Sequence, residues 1–338
     1  MERKLVNLLE LAHVIQLLEQ FSSRRIVDQA LHTAGLDRAM LEGVSGFIPY
    51  AAEAILIESV ARAINDRHLG ARIGKNFQYS SYGAYAHFVL AAPNLATALE
   101  RGRRALLLIH PGSEIVQRQT DTHLVVGRNS NGLSVTGHHH LDEGALFVIG
   151  HVARHFLGSD WKPDWVELPN VRGRDATELE DLVGAPVRVG AVIPSIAIRL
   201  TDLTALNPAP PKPDQSISLN ELEGLMGIAP AQTMEDAVVQ VLSITFATHL
   251  TNETAVAKLL CIGVRSLQRA LKDEGTTFRK VRAQVVSHRA ASLLVETDTP
   301  LDQIALILGY SDPRSFRRSF KSSLGLSPSA FRETKKVE

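Results

Sequence analysis

The stretch from Pro300 to Arg332, PLDQIALILGYSDPRSFRRSFKSSLGLSPSAFR, admits few folds because its helix-stop and helix-start signals lie so close together. Leu301, Ile304, Ala305 and Leu308 recur at helical spacing, with Asp302 and Gln303 on the polar side. Gly309 follows, the residue type that reaches positive φ at least cost and so ends a helix. After Tyr310 a second helix is expected, opened by Ser311 or Asp312 as N-cap and by Pro313 in the first turn, where a missing N–H does no harm. Phe316 and Phe320 lie four residues apart on one face, and Arg314, Ser315, Arg317, Arg318 and Lys321 occupy the rest. Two helices on so tight a turn make a helix-turn-helix with one anchored face and one cationic face. An arginine fork can bond a guanine edge in two places, whereas a lone ammonium mostly meets phosphate. The plainer alternative, a solvated basic face on an ordinary core helix, leaves the turn chemistry without a purpose.

The same residues resemble the second helix-turn-helix and closing segment of the AraC/XylS family of bacterial transcription regulators. The family pattern is an apolar helix, then G-[YF]-S-D-x-S-x-F-x-R-x-F-K, then G-x-[ST]-P-x-x-[YF]-R. It runs here without a gap through Gly309-Tyr310-Ser311-Asp312-Pro313-Arg314-Ser315-Phe316-Arg317-Arg318-Ser319-Phe320-Lys321 and Gly325-Leu326-Ser327-Pro328-Ser329-Ala330-Phe331-Arg332. The family carries two such motifs joined by a long helix, so an earlier copy is expected. Asn252 to Leu271 provides one: Val256, Leu259 and Leu260 form an apolar face, a break follows, and Leu267 and Leu271 point inward from a second helix. Glu274-Gly275-Thr276-Thr277-Phe278 resembles the family's E-G-T-S-F, and Val281 to Val295, with Arg282, His288 and Arg289, is a plausible connecting helix. The first motif departs from the pattern, with Cys261 where the family has Gly and Gly263 where it has a capping Ser. Loss of that cap should weaken the helix start by about a few tenths of a kcal/mol, and Cys261 requires an altered turn, so base reading is assigned to the second helix ahead of this one.

Carried over residue by residue, the resemblance implies that Arg265, Gln268 and Arg269 in the first motif and Arg314, Ser315, Arg317 and Arg318 in the second read bases, with Ser266 beside the first set. Lys272, Arg279 and Lys321 are assigned to phosphates. Two recognition helices on one rigid connector can enter successive major grooves, about 34 Å apart, from a single chain. The expected partners are promoter DNA, RNA polymerase and a small-molecule effector, with a homodimer as one assembly, and the resemblance favours an activator over a repressor.

Composition fits a division of labour. The chain is neutral overall, with 36 Lys and Arg against 36 Asp and Glu. Residues 231–338 hold 15 basic and 11 acidic residues, leaving 21 basic and 25 acidic to the remainder. A small bias of this kind suits charges placed on particular helices, not a general coat for nucleic acid. No apolar run nears the ~20 residues of a membrane helix, and Met1 to Phe21 has no signal-peptide layout, so a cytoplasmic protein is expected. A single Cys excludes an intramolecular disulfide. Proline density from Asn207 to Pro213 marks a stiff spacer. The expected division is therefore 1–206 for effector sensing or dimerisation, 207–232 for linker and bridge, and 233–338 for an all-α double helix-turn-helix unit whose first helix runs from Met234 through Phe246.

Ahead of the linker the pattern is α+β. Helical periodicity covers Leu5–Phe21, Ile26–Thr33, Pro49–Asn65, Leu95–Ile109 and Asp142–Phe156. Strand character covers His123–Arg128, Leu133–Gly137, Pro186–Val189 and Ala197–Leu200. Leu69-Gly70-Ala71-Arg72-Ile73-Gly74, Tyr82-Gly83-Ala84-Tyr85 and Ala92-Pro93-Asn94-Leu95 resemble the arabinose-binding-type sensor domain of one branch of the family, with Tyr85 replacing the second Gly of the middle pattern. That implies an effector pocket, for which Tyr85, His87, Arg104 and His110 are candidates. A competing expectation is a ligand-independent regulator whose front domain only self-associates. A more remote one is a metal-dependent sensor or enzyme, raised by His138-His139-His140 and by His151 and His155 four residues apart. Consecutive strand residues point to opposite faces, so His138 and His139 are not expected to converge. No H-E-x-x-H, G-x-S-x-G, Walker or dinucleotide motif is present, and no metal, cofactor or catalytic residue is expected.

Overall fold

The computed structural model describes residues 4–40, 46–130, 132–169, 175–212, 216–227, 231–245, 251–260, 262–310 and 312–336, the side chains of 175, 335 and 336 excepted. The chain forms two compact units, Met1–Ala34 with Phe47–Pro230 and Gly35–Gly46 with Ala231–Glu338.

The first unit is α+β. β1 (Leu5–Asn7) leads directly into α1 (Leu8–Phe21), and the Asn7 side chain accepts from the Leu9 N–H to cap the helix. Residues 5–7, expected to be helical, are thus a strand. They pair antiparallel with β2 (Phe47–Pro49), a partner that helical periodicity cannot register. α2 (Arg24–Ala34), α3 (Tyr50–Ile64), α4 (Leu69–Asn76), α5 (Ala84–Leu90) and α6 (Leu95–Ala105) follow. β3 (Glu114–Gln119) and β4 (His123–Asn129) form a hairpin, α7 spans His138–Leu157, and β5 (Val166–Leu168), α8 (Asp175–Val183), β6 (Val187–Val189) and β7 (Ser195–Arg199) complete the sheet region. α9 (Leu219–Met226) begins on a reciprocal Ser218–Glu221 capping box, so the stretch after the prolines contains a helix. Asn207 is held inside this unit by its side-chain N–H groups, which donate to Leu90 O at 2.7 Å and Ala92 O at 2.8 Å.

The five-stranded sheet has the order β3-β4-β7-β5-β6, antiparallel except for β5 with β6. Its inner face packs on α7. α7 also crosses α4 at very short range: a Cβ on Gly70 would lie 2.2 Å from His140 O, and one on Gly74 would lie 2.8 Å from Gly144 O. Glycine at 70 and 74 lets the two backbones meet, which gives the sensor-type LGARIG segment a packing purpose.

Leu133–Gly137 is not a strand. Gly137 has φ 89°, and a Cβ there would sit 2.4 Å from Ala54 O, so the segment turns where an alternating pattern suggested extension. α7 accordingly starts at His138, earlier than expected, and the three histidines form its first turn.

The second unit is all helical within the described residues. α10 (Met234–Thr245), α11 (Glu253–Leu259), α12 (Val264–Asp273), α13 (Phe278–Glu296), α14 (Leu301–Ile307), α15 (Pro313–Leu324) and α16 (Pro328–Lys336) build it. α10 begins at Met234 as expected, and Phe246 lies outside the described residues. α13, about 28 Å long at 1.5 Å per residue, packs α10 at one part of its length and α14, α15 and α16 at others. Its buried Val281, Val286, Ala290 and Leu294 form the seam. Val256, Leu259, Leu267 and Leu271 close the first motif, and Ile304, Ala305, Leu308, Phe316 and Phe320 the second.

Candidate nucleic-acid interface and small-molecule cavity

α11–α12 and α14–α15 are two helix-turn-helix motifs in one register. The N-cap of α12 is Gly263 and that of α15 is Asp312, 49 positions on. The same offset carries Arg265 to Arg314, Ser266 to Ser315, Leu267 to Phe316, Gln268 to Arg317, Arg269 to Arg318, Leu271 to Phe320 and Lys272 to Lys321. Leu267, Leu271, Phe316 and Phe320 are buried, while every one of the polar positions is exposed except half-buried Ser315. Buried anchors and outward polar side chains therefore alternate in the same order on both helices.

The two starts differ. Asp312 Oδ1 accepts from the Arg314 N–H at 3.0 Å, and Oδ2 accepts from the Ser315 N–H at 3.1 Å and its hydroxyl at 2.9 Å. The Arg314 backbone bond, followed by the Ser315 hydroxyl, holds the Asp312 carboxyl below the usual carboxylate range. Gly263 makes no side-chain cap. Cys261, where the turn was expected to be altered, and Ser311, the other capping candidate, lie outside the described residues. Gly309 takes φ 77°, as its place in the turn requires.

Each recognition helix is tied to the helix before it through the same position. Gln268 Nε2 donates to Glu253 Oε2 at 3.1 Å, and Arg317 Nη2 to Asp302 Oδ1 at 2.9 Å. Arg318 Nη2 donates to Ser315 Oγ at 3.3 Å, which makes the Ser315 hydroxyl a bridge between the cap and an arginine. Between the motifs runs a groove of about 1230 Å³ that brings together Arg279, Ser315 and Arg318 from the expected set and adds Lys280 and Arg282 from α13. Arg265, Ser266, Gln268, Arg269, Lys272, Arg314, Arg317 and Lys321 are exposed outside that groove.

Other residues of the family motifs hold the frame. Glu274 accepts from the Met234 and Glu235 N–H groups at 2.6 and 2.8 Å, which caps α10. Arg282 Nε donates to Thr251 O at 3.0 Å. Arg332 donates to Leu294 O, Thr297 O and Thr299 O at 3.2, 3.4 and 2.6 Å, closing the end of α13. Sequence reading singled out none of these contacts, since each joins elements that are 31 to 40 residues apart.

The first unit contains a cavity of about 60 Å³. Tyr79, Tyr82, Tyr85, His110 and Arg128 line it, together with aliphatic side chains from α6, β3, β4 and α7. Of the sensor candidates, Tyr85 and His110 therefore meet at one site. His87 and Arg104 are exposed and do not line it. Beside the cavity Glu10 Oε2 accepts from Tyr82 OH at 2.6 Å and lies 2.7 Å from His110 Nε2. Burial would raise the Glu10 pKa, but His110, Arg128 and Tyr82 outweigh it and hold the carboxyl below its usual range. Burial pushes His110 down, against the pull of Glu10, so the ring is neutral with its proton on Nε2. Burial, then the Glu10 charge, pushes Glu53 well up. Arg128 stays charged: its burial is outweighed by its neighbours, Tyr50 and Glu10 foremost. Its Nη2 donates to Leu141 O at 2.9 Å and its guanidinium stacks 5.0 Å from the Tyr50 ring centroid. Sequence reading missed Arg128 because a lone arginine in a strand carries no pattern.

His138, His139 and His140 lie on a helix, not on the strand expected for them. His139 and His140 are helical neighbours with ring centroids 4.0 Å apart, and with Glu58 they form a group of possible metal ligands. Both nitrogens of His140 are already engaged: Nδ1 accepts from the Gly70 N–H at 3.2 Å, so Nε2 carries the proton toward Glu58 Oε2 at 3.1 Å. A metal on Nε2 would move that proton to Nδ1, against the Gly70 donor. His151 and His155 share a helix face but contact Gly74 O and Asn207 Oδ1 separately, at 2.9 and 3.3 Å.

Two registered helix-turn-helix motifs with cations on both second helices define a DNA-binding regulator. Comparison with known proteins agrees. Residues 26–206 match the family model of the arabinose-binding domain at the N-terminus of AraC transcription regulators, and residues 256–334 match a helix-turn-helix domain. The chain belongs to the AraC family of transcription regulators. It is 24% identical over 276 residues to the HTH-type transcriptional regulator VqsM of Pseudomonas aeruginosa, covering 78% of this chain and 83% of that one. It is 44% identical over 69 residues to the ornithine utilization regulator of the same organism, 20% of each chain. A solved structure of the transcriptional regulator CdpR from Pseudomonas aeruginosa aligns with a TM-score of 0.38 at 19% identity, covering 91% of this chain and 97% of that one. Among the described residues no helix is long and apolar enough to cross a membrane.

Proposed function

We propose that this regulator reads its operator with both motifs, α12 and α15 entering successive major grooves, and that a small molecule held in the first unit sets that affinity. Residues 1–206 would sense, 207–232 would connect and 233–338 would bind DNA. The observation that carries the reading is the shared register of exposed cations on two separately anchored helices. Arg265, Gln268, Arg269, Arg314, Ser315, Arg317 and Arg318 are the base readers, with Ser266 beside them. Lys272, Arg279 and Lys321 meet phosphates. Activation follows from the family resemblance, with RNA polymerase as the protein partner and a homodimer as one assembly.

An effector acts only through its differential affinity for the DNA-competent and DNA-incompetent states. The test is to map genomic binding sites for the full chain, then measure operator affinity and transcription across a metabolite panel. One compound class should shift affinity severalfold and raise transcription. Sequence-specific binding that no compound alters would leave the front unit to self-association alone, and binding without sequence preference in moderate salt would end the regulator reading of these helices.

A further inference from the structure

The cavity in the first unit has an electrostatic character that its apolar walls conceal. Its charged lining side chains are arginines, Arg128 within and, at the outer edge, Arg103, which is paired with Glu100. Glu10 does not line it and is engaged instead with Tyr82 and His110. Arg128 is only 6% exposed, yet its Nε makes no hydrogen bond to the protein. Its Nη1 lies 3.3 Å from His110 Nε2, but that nitrogen already directs its hydrogen to Glu10 at the shorter distance of 2.7 Å and has no lone pair to offer. A buried guanidinium with five donors therefore keeps a single firm acceptor, Leu141 O. A buried, unpaired donor on a charged group costs more than an ordinary lost hydrogen bond, so such a group marks the place of a missing acceptor.

We propose that the cavity binds a short-chain carboxylate, its oxygens on Arg128 and its aliphatic body among Leu99, Ile109, Val126, Ile149 and Val152. This rests on the effector reading above and names the chemical class of that effector. A cation is disfavoured because Arg128, the buried charge on the lining, is positive. One water needs roughly 10–15 Å³ on this measure, so a volume of about 60 Å³ holds several waters and limits the body to a few carbons. Arginine suits the carboxylate because its planar fork can present two parallel N–H groups. An ordered water on Arg128 Nε is the competing explanation, and a smaller space of about 30 Å³ next to Glu53 and Arg128 could house one.

The test uses the full chain and three probes of one shape, isobutyrate, isobutyramide and isobutylamine, at constant ionic strength, with thermal unfolding and calorimetry as readouts. Isobutyrate should raise the melting temperature and bind, whereas the amide and amine should be at least tenfold weaker. Arg128→Met should abolish the discrimination. Because a buried arginine can be needed for folding, Gly102→Leu is the second variant. Gly102 lines the cavity, and a Cβ there meets only Tyr85 Oη at 3.7 Å and Val89 at 3.9 Å, so the site accepts a side chain that then fills the space. It should fold, shown by circular dichroism, and bind isobutyrate at least tenfold more weakly, while Gly102→Ala should bind closer to wild type. Equal binding of acid and amide, no binding of isobutyrate, or binding untouched by Gly102→Leu would each overturn the carboxylate assignment. None of these results touches the effector reading, which the metabolite dependence of operator affinity decides separately.

Discussion

Single side chains divide into those proposed to meet DNA and those that hold the frame. Arg318 is exposed, and its Nη2 rests on Ser315 Oγ at 3.3 Å, ready to leave that contact for a base edge. Arg318→Ala should cost about 1 to 3 kcal/mol of operator affinity and relax preference at one base pair. Titration against a mutated operator series checks it, and unchanged affinity would remove Arg318 from the readers. Lys321→Ala should instead weaken all sequences alike and reduce the slope of log affinity against log salt by about 1. Arg332, from the same family motif, should behave differently again. Its three carbonyl contacts end α13, so Arg332→Ala should lower the melting temperature of the second unit and affect DNA only through that loss.

At the level of helices, the asymmetry of the two motifs can be tested by repair. Gly263 has the extended backbone of an N-cap, φ −73° and ψ 148°, and no side-chain oxygen. Nothing closer than Ser266 Oγ at 4.0 Å obstructs a Cβ there. Gly263→Ser should stabilise α12 by about a few tenths of a kcal/mol, read as slower amide exchange in the first turn of that helix. The α4–α7 crossing predicts the opposite sign. Gly70→Ala drives a methyl into the His140 backbone, and should destabilise the first unit by about 1 to 3 kcal/mol, measured by denaturant unfolding. Wild-type stability in that variant would mean that the helices part without cost.

Across the whole molecule, buried ionisable groups make stability depend on pH with opposing signs. Burial lowers His140 to about 3, and it also lowers His110 and His151. Unfolded histidine takes a proton near 6.5, so between about 6.5 and 3 the unfolded chain binds protons that folded His140 does not. Its contribution is present above pH 6.5 and falls as the solution is acidified, by about 2 kcal/mol at pH 5. Glu53 works the other way: folded, it keeps a proton that the unfolded chain releases above the ordinary carboxylate range, so its penalty grows as pH rises. His140→Asn, whose Oδ1 can still accept from Gly70 N–H, should lose less stability than wild type between pH 7 and 5. An identical loss would place the pH sensitivity elsewhere. The contrast between the units follows the range of the forces that build them. In the second unit, caps, turn glycines and apolar spacing act within a few residues, so both helix-turn-helix motifs, their exposed cations and the start at Met234 are legible in the residue string. In the first unit, local pattern gave α2, α3 and β4, but misread Leu5–Asn7, Leu133–Gly137 and His138–His140, where a distant strand or a backbone contact overrides it. Glu10, Tyr82, His110 and Arg128 belong to four separate segments, and only packing α1, the sheet and α7 together brings them beside one cavity. Order along the chain could name the helices proposed to read DNA, whereas the cavity proposed for a small molecule exists only once burial has removed water from charges that the sequence keeps far apart.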